Sequence, residues 1–178
     1  MHEHSDAERR GKDLIGMPVY TMQEGRRLGE VTSLLVRRED ATVVAVRVGT
    51  QLSPGPAFPF SNLRLVGIDA ILVDSAASLE PALPTEEVRA LDDAVIGRSV
   101  LTVGGERIGT ISGFWVNTPD GRITAYRVHP EAGILSGLSN LLKHDTFEVP
   151  AEQVQGLGAA ALVVIEAAPP ASGSKSQP

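Results

Sequence analysis

Any chemistry in this chain has to come from histidines, carboxylates, hydroxyls and arginines, because none of its 178 residues is a cysteine. Thiolate nucleophiles, disulfides and thiolate-held metals drop out together. The histidines fall in two places. His2 and His4 flank Glu3 near the start, a spacing that would hold a divalent cation only weakly, since ordering a polar terminus costs entropy. His129 and His144 bracket a loop with Glu131 and Asp145 beside them, and that loop, closed on itself, could gather a His/carboxylate set suited to Zn²⁺ or Mn²⁺. The spacing is too loose to fix three or four ligands in one geometry. Neither a metal nor any cofactor is expected.

Two other patterns invite a chemical reading. "GGERIG", Gly104 to Gly109, is glycine-rich like a phosphate loop, yet it is followed by a strand pattern where a helix N-terminus would be needed to receive the anion. A hairpin turn is the better reading. Ser136 in "GILSG" has the wrong spacing for a nucleophile elbow and no strand-turn-helix around it. No catalytic residue is nominated, and the chain is read as a non-enzyme.

The elements that would position these residues are written twice. "LIGMPVYTMQEGRRLGEVTSLLV" from Leu14 lies over "VIGRSVLTVGGERIGTISGFWV" from Val95, matching Gly16 to Gly97 and Val19 to Val100; one deletion then brings Gly29 onto Gly109 and Val31 onto Ile111. "TVVAVRV" falls on "RITAYRV", so that Ala45 meets Ala125 and Arg47 meets Arg127, and Pro59 later meets Pro150. The second copy has about eleven extra residues between His129 and Phe147. Each copy reads as five or six short strands with small residues at the bends, the pattern of a compact β-barrel. Asp120-Gly121 is a strong hairpin signal, with Glu39-Asp40 as its weaker counterpart.

The glycine and aliphatic landmarks, Leu14-x-Gly16-x-x-Val19 followed by Gly25-x-x-Leu28-Gly29-x-Val31 and their second-copy equivalents, resemble the PRC-barrel family, which includes the cytoplasmic domain of the photosynthetic reaction-centre H subunit and the C-terminal domain of the ribosome-maturation factor RimM. The resemblance implies an all-β protein of two tandem small PRC-like barrels joined by a short linker helix. The expected parts are a disordered tail over 1–11, a first barrel over 12–79, an acidic linker over 80–93, a second barrel over 94–168 with an insertion at 130–146, and a disordered tail over 169–178. Thr85 would cap the linker helix, with Glu86 and Glu87 suiting its dipole. A barrel of about 65 residues buries only about 60% of its unfolded surface and is marginal alone, so the two should pack together. Leu34, Val36, Phe114 and Val116 form one candidate face, Leu35 and Trp115 the other; one is expected in the core and the other between the barrels. Gly29 and Gly109 should have the same surroundings.

Charge narrows the partners. Of the formal net charge of −6, the stretch Glu80 to Ala94 carries −4, with five acids against Arg89, and neither repeat is basic. Direct nucleic-acid binding, which depends on Lys and Arg neutralising phosphates, is not expected. No apolar run approaches the roughly 20 residues needed to span a bilayer, and the charged start lacks the apolar segment of a signal peptide, so a cytoplasmic location is expected.

The insertion "GILSGLSNLLKHD" places Ile134, Leu135, Leu138, Leu141 and Leu142 on one helical stripe. Such a patch reads either as a lid on the barrel or as a surface for a protein partner, with peripheral membrane contact the weaker version in an acidic chain. Arg47 and Arg127, at matching places, read as rim ion pairs or as paired partner contacts. The expected function is a non-catalytic interaction, scaffold or regulatory module. A small-ligand or metal-binding regulator and a ribosome-assembly accessory resembling RimM are the alternatives, and homodimerisation stays open.

Overall fold

The computed structural model describes residues 7–37, 40–50, 52–53, 55–76, 88–90, 95–131, 146–158 and 160–165. Strands dominate them, in two seven-stranded sheets. The first repeat supplies β2 (Pro18–Thr21), β3 (Arg27–Arg37), β4 (Thr42–Gly49), β5 (Ala57–Pro59), β6 (Leu63–Val66) and β7 (Ile71–Val73), in the order β5-β4-β3-β2-β7-β6. The second supplies β9 (Ser99–Thr102), β10 (Arg107–Asn117), β11 (Ile123–Pro130), β12 (Phe147–Pro150), β13 (Val154–Leu157) and β14 (Ala161–Val164), in the equivalent order β12-β11-β10-β9-β14-β13. Three-residue 3-10 turns, Phe60–Asn62 and Ala151–Gln153, follow the prolines at the same place in each copy. The all-β tandem-barrel expectation holds.

Each copy curls because its longest strand is bent twice. β3 has register shifts at Val31/Ser33 and Leu35/Val36, and β10 has them at the equivalent Ile111/Gly113 and Trp115/Val116. A bulge adds twist and re-aims the strand, so one end of β10 pairs with β9 and the other is left free of it. The landmark glycines do the same job twice: a Cβ on Gly29 would lie 2.4 Å from the Gly49 carbonyl oxygen, and one on Gly109 would lie 2.3 Å from that of His129. Only glycine permits so close an approach of neighbouring backbones.

The two arms of the chain were not legible as strands. Glu8–Arg10, placed in a disordered tail by the sequence, is β1, and Gly11–Leu14 follows as a single α-helical turn, α1. In the linker, where a helix is expected, the described residues Val88–Ala90 are β8. Each arm pairs with the other copy's sheet. β1 runs antiparallel to β10, with Arg10 opposite Trp115 and Glu8 opposite Asn117; β8 runs antiparallel to β3, with Ala90 opposite Leu35 and Val88 opposite Arg37. The free edges of β3 and β10 outweigh the local helix signals of the linker, because an unpaired ladder is costly and a three-residue strand satisfies it. The rest of the linker, residues 132–145 of the insertion and the C-terminal tail lie outside the described residues.

One apolar core runs through both copies. It contains Val19, Leu34, Val36, Val46 and Phe58 from the first and Val100, Ile111, Phe114, Val116 and Tyr126 from the second. The set Leu34, Val36, Phe114 and Val116 is thus core that is continuous across the pair. The second set does not form one apolar cluster, although Leu35 and Trp115 each take the other copy's arm in a backbone ladder. Leu35 is buried in a separate small cluster with Ala45 and Ala57 of its own barrel, and the indole of Trp115 is only half-buried. The strand pleat explains this, since residue 35 points to the opposite face from residues 34 and 36.

The junction is also tied through backbone. Thr42 and Arg122, equivalent positions of the two repeats, form an antiparallel bridge with one another. On either side of it, the Val43 N–H donates to the Gly121 carbonyl at 2.8 Å and the Ile123 N–H donates to the Ala41 carbonyl at 3.4 Å. Ala41 and Gly121 are themselves equivalent and both have positive φ, 52° and 75°. Among the described residues no helix is long and apolar enough to cross a membrane.

Candidate interaction surface

Arg47 and Arg127 stand at the same register on β4 and β11, opposite Ser33 and Gly113 of the long strands. On its other side Arg47 faces Ala57, whereas Arg127 faces Glu148. That one difference reorganises the face. The Arg47 guanidinium, with no acid opposite, donates from Nη1 to the Gly55 carbonyl at 3.3 Å. Arg127 Nη2 lies 3.7 Å from Glu148 Oε1, and the same oxygen accepts the Trp115 Nε1–H at 2.8 Å. Trp115, Arg127 and Glu148 therefore form a half-buried cluster over Ala125, where the first barrel buries Leu35 over Ala45 and Ala57.

The sequence singles out Trp115 and Arg127 but misses Glu148. A signal for it exists: aligning Pro59 with Pro150 sets Glu148 opposite Ala57, a charged residue where the other copy has a methyl group. The insertion residues Ile134, Leu135, Leu138, Leu141 and Leu142 lie outside the described residues, as do His2, His4, Ser136 and His144. The groups thought able to converge on a metal are dispersed where they are described. His129 is an exposed residue of β11 opposite Thr110, and Glu131 pairs with Arg107 at 3.0 Å. No set of three or more metal-ligating side chains comes together among the described residues. "GGERIG" spans a tight turn and the first residues of β10, with Gly105 at φ 84° and its N–H donating to the Thr102 carbonyl.

An open cleft of about 620 Å³ lies at one end of the first barrel, lined by Arg27, Leu28, Gly29, Glu30, Gly49, Thr50 and Leu52. Its two charges answer each other, Arg27 Nη2 standing 3.5 Å from Glu30 Oε2. At the hairpin tip beside the junction, Asp40 accepts two hydrogen bonds from Arg37, at 2.6 and 3.0 Å, and one from the Thr42 N–H. The Arg37 hydrogen bonds hold its carboxyl below the usual carboxylate range, against a smaller opposing effect of burial. Tyr126 has no such partner charge, and burial alone pushes its phenol well above the usual value. Asp40 thereby anchors a turn and Tyr126 the core.

Comparison with known proteins gives one family. The PRC-barrel domain matches residues 6–79 and again residues 87–164. No curated protein matches the chain.

Proposed function

Because the chain belongs to the PRC-barrel family, twice over, we propose that it is a non-catalytic interaction or scaffold module of the cytoplasm that engages a protein partner. The observation that supports this reading is the state of its polar side chains: Arg127 with Glu148 and Trp115, Arg107 with Glu131, and Arg27 with Glu30 are bound to neighbours on open faces. Catalysis needs polar groups held free to act on a reacting atom in a shielded site. A half-buried aromatic beside an arginine is instead the composition of a recognition surface. The partner would be read by the face carrying Trp115 and Arg127, by its counterpart at Arg47, and by the apolar residues of the insertion.

The test is capture from lysate of the native cell, with the full chain as bait and mass spectrometry as readout. Deleting Gly133 to Leu142, or replacing Arg127 by Ala, is expected to lose the partner while leaving the thermal unfolding midpoint of the bait nearly unchanged. Undiminished capture by both variants would reject the assignment of the surface.

A further inference from the structure

We infer that the interface between the two barrels is a self-contained docking surface whose partner is a second barrel unit carrying its own arm, so that the two halves of this chain hold together without the linker. Each arm lies across the other barrel in the same register: Arg10, Arg9 and Glu8 face Trp115, Val116 and Asn117, while Ala90, Arg89 and Val88 face Leu35, Val36 and Arg37. The receiving residues Trp115, Val116 and Asn117 are the second-copy equivalents of Leu35, Val36 and Arg37. The contacts at the centre are mirrored as well, since Val43 to Gly121 and Ile123 to Ala41 are one hydrogen bond applied in both directions about the Thr42–Arg122 bridge. This is the arrangement of an isologous dimer, in which one patch meets a copy of itself.

Two more observations point the same way. The family match begins at residue 6 in one copy and 87 in the other, ahead of β1 and β8, so each arm belongs in sequence to the unit it precedes although it pairs with the other. The β1 junction is further fastened beyond its ladder, because Thr118 donates both its N–H and its Oγ1–H to the Ala7 carbonyl, each at 2.8 Å. The surface is completed by apolar packing: Phe114 of the second barrel lies against Gly11 of α1, where even a Cβ would overlap its ring.

The test uses the whole chain with a protease recognition site inserted between Ala82 and Leu83, cut after folding. The cut protein is expected to elute at the mass of the intact chain at about micromolar concentration, the range of specific association, and its unfolding midpoint should rise with concentration where that of the uncut chain does not. Separation into two half-mass species at that concentration would overturn the inference. Arg9→Pro, which removes a ladder donor from β1, should weaken association of the cut halves tenfold or more; an unchanged affinity would show that strand exchange does not hold them. Should that variant fail to fold uncut, Thr118→Val keeps the backbone intact and removes one of the two bonds to Ala7, and is expected to weaken association of the cut halves severalfold, with no change again counting against the proposal.

Discussion

The outer faces of the two barrels start from one plan and end in different chemistry. In the first, Leu35 is sealed with Ala45 and Ala57. In the second, Trp115 stands in place of Leu35 and Glu148 in place of Ala57, and the indole and carboxylate bind each other, with Arg127 close by. The positions that set backbone path show no such drift: Gly29 and Gly109 meet the same carbonyl of the neighbouring strand, and the bulges of β3 and β10 fall at the same residues. A duplicated fold thus leaves its side chains free to change only where the backbone does not need them.

The sharpest way to break that comparison is at the shared glycines. Gly109→Ala and Gly29→Ala should each lower stability by about 3 kcal/mol or more, at the upper end of overpacking costs, because the new methyl meets a backbone oxygen that cannot rotate away. Gly29→Ala should cost the more, since its φ of 153° adds strain. Urea unfolding measures both; tolerance at one site alone would show that the barrels are not built alike there.

The outer faces should respond unequally. Leu35→Ala opens a cavity in a sealed cluster and is expected to cost about 2–4 kcal/mol, while Trp115→Phe keeps the aromatic body, removes one hydrogen bond to Glu148 and should cost about 1 kcal/mol. Thermal unfolding of the pair decides, and equal losses would erase the distinction between a packed apolar face and a polar, half-buried one.

The smallest effect, and of opposite sign, belongs to the hairpin tips. Ala41 holds the positive φ that Gly121 holds in the other copy, and Ala41→Gly should stabilise by about 0.5–1 kcal/mol by relieving the Cβ clash of that conformation. The reverse change, Gly121→Ala, places a methyl 2.3 Å from the Val43 carbonyl and should destabilise. A calorimetric midpoint that falls for Ala41→Gly would mean that the methyl, which packs against the core, matters more than the backbone.

Much of the architecture could be read from residues alone because its signals are local. Asp120-Gly121 marks a turn by its own conformational needs, and "TVVAVRV" over "RITAYRV" marks a strand by pattern. The arms escaped because "ERR" and "VRA" are too short to have a period and take their conformation from a strand in the other copy. The candidate surface was half legible for a related reason. The equivalence of Arg47 and Arg127 shows in the repeat, but what each guanidinium reaches, a loop carbonyl in one and Glu148 in the other, depends on which residue lies across the sheet.

Pairing across copies also sets a clock on synthesis. Glu8 leaves the ribosome long before Asn117, and at about 5–20 residues per second the arm waits on the order of 5–20 s for the strand that receives it. Until then the leading segment of the first copy has no strand to pair with, whereas β8, which covers β3, has already been made, so the two arms dock in sequence and the first to be synthesised is the last to be seated.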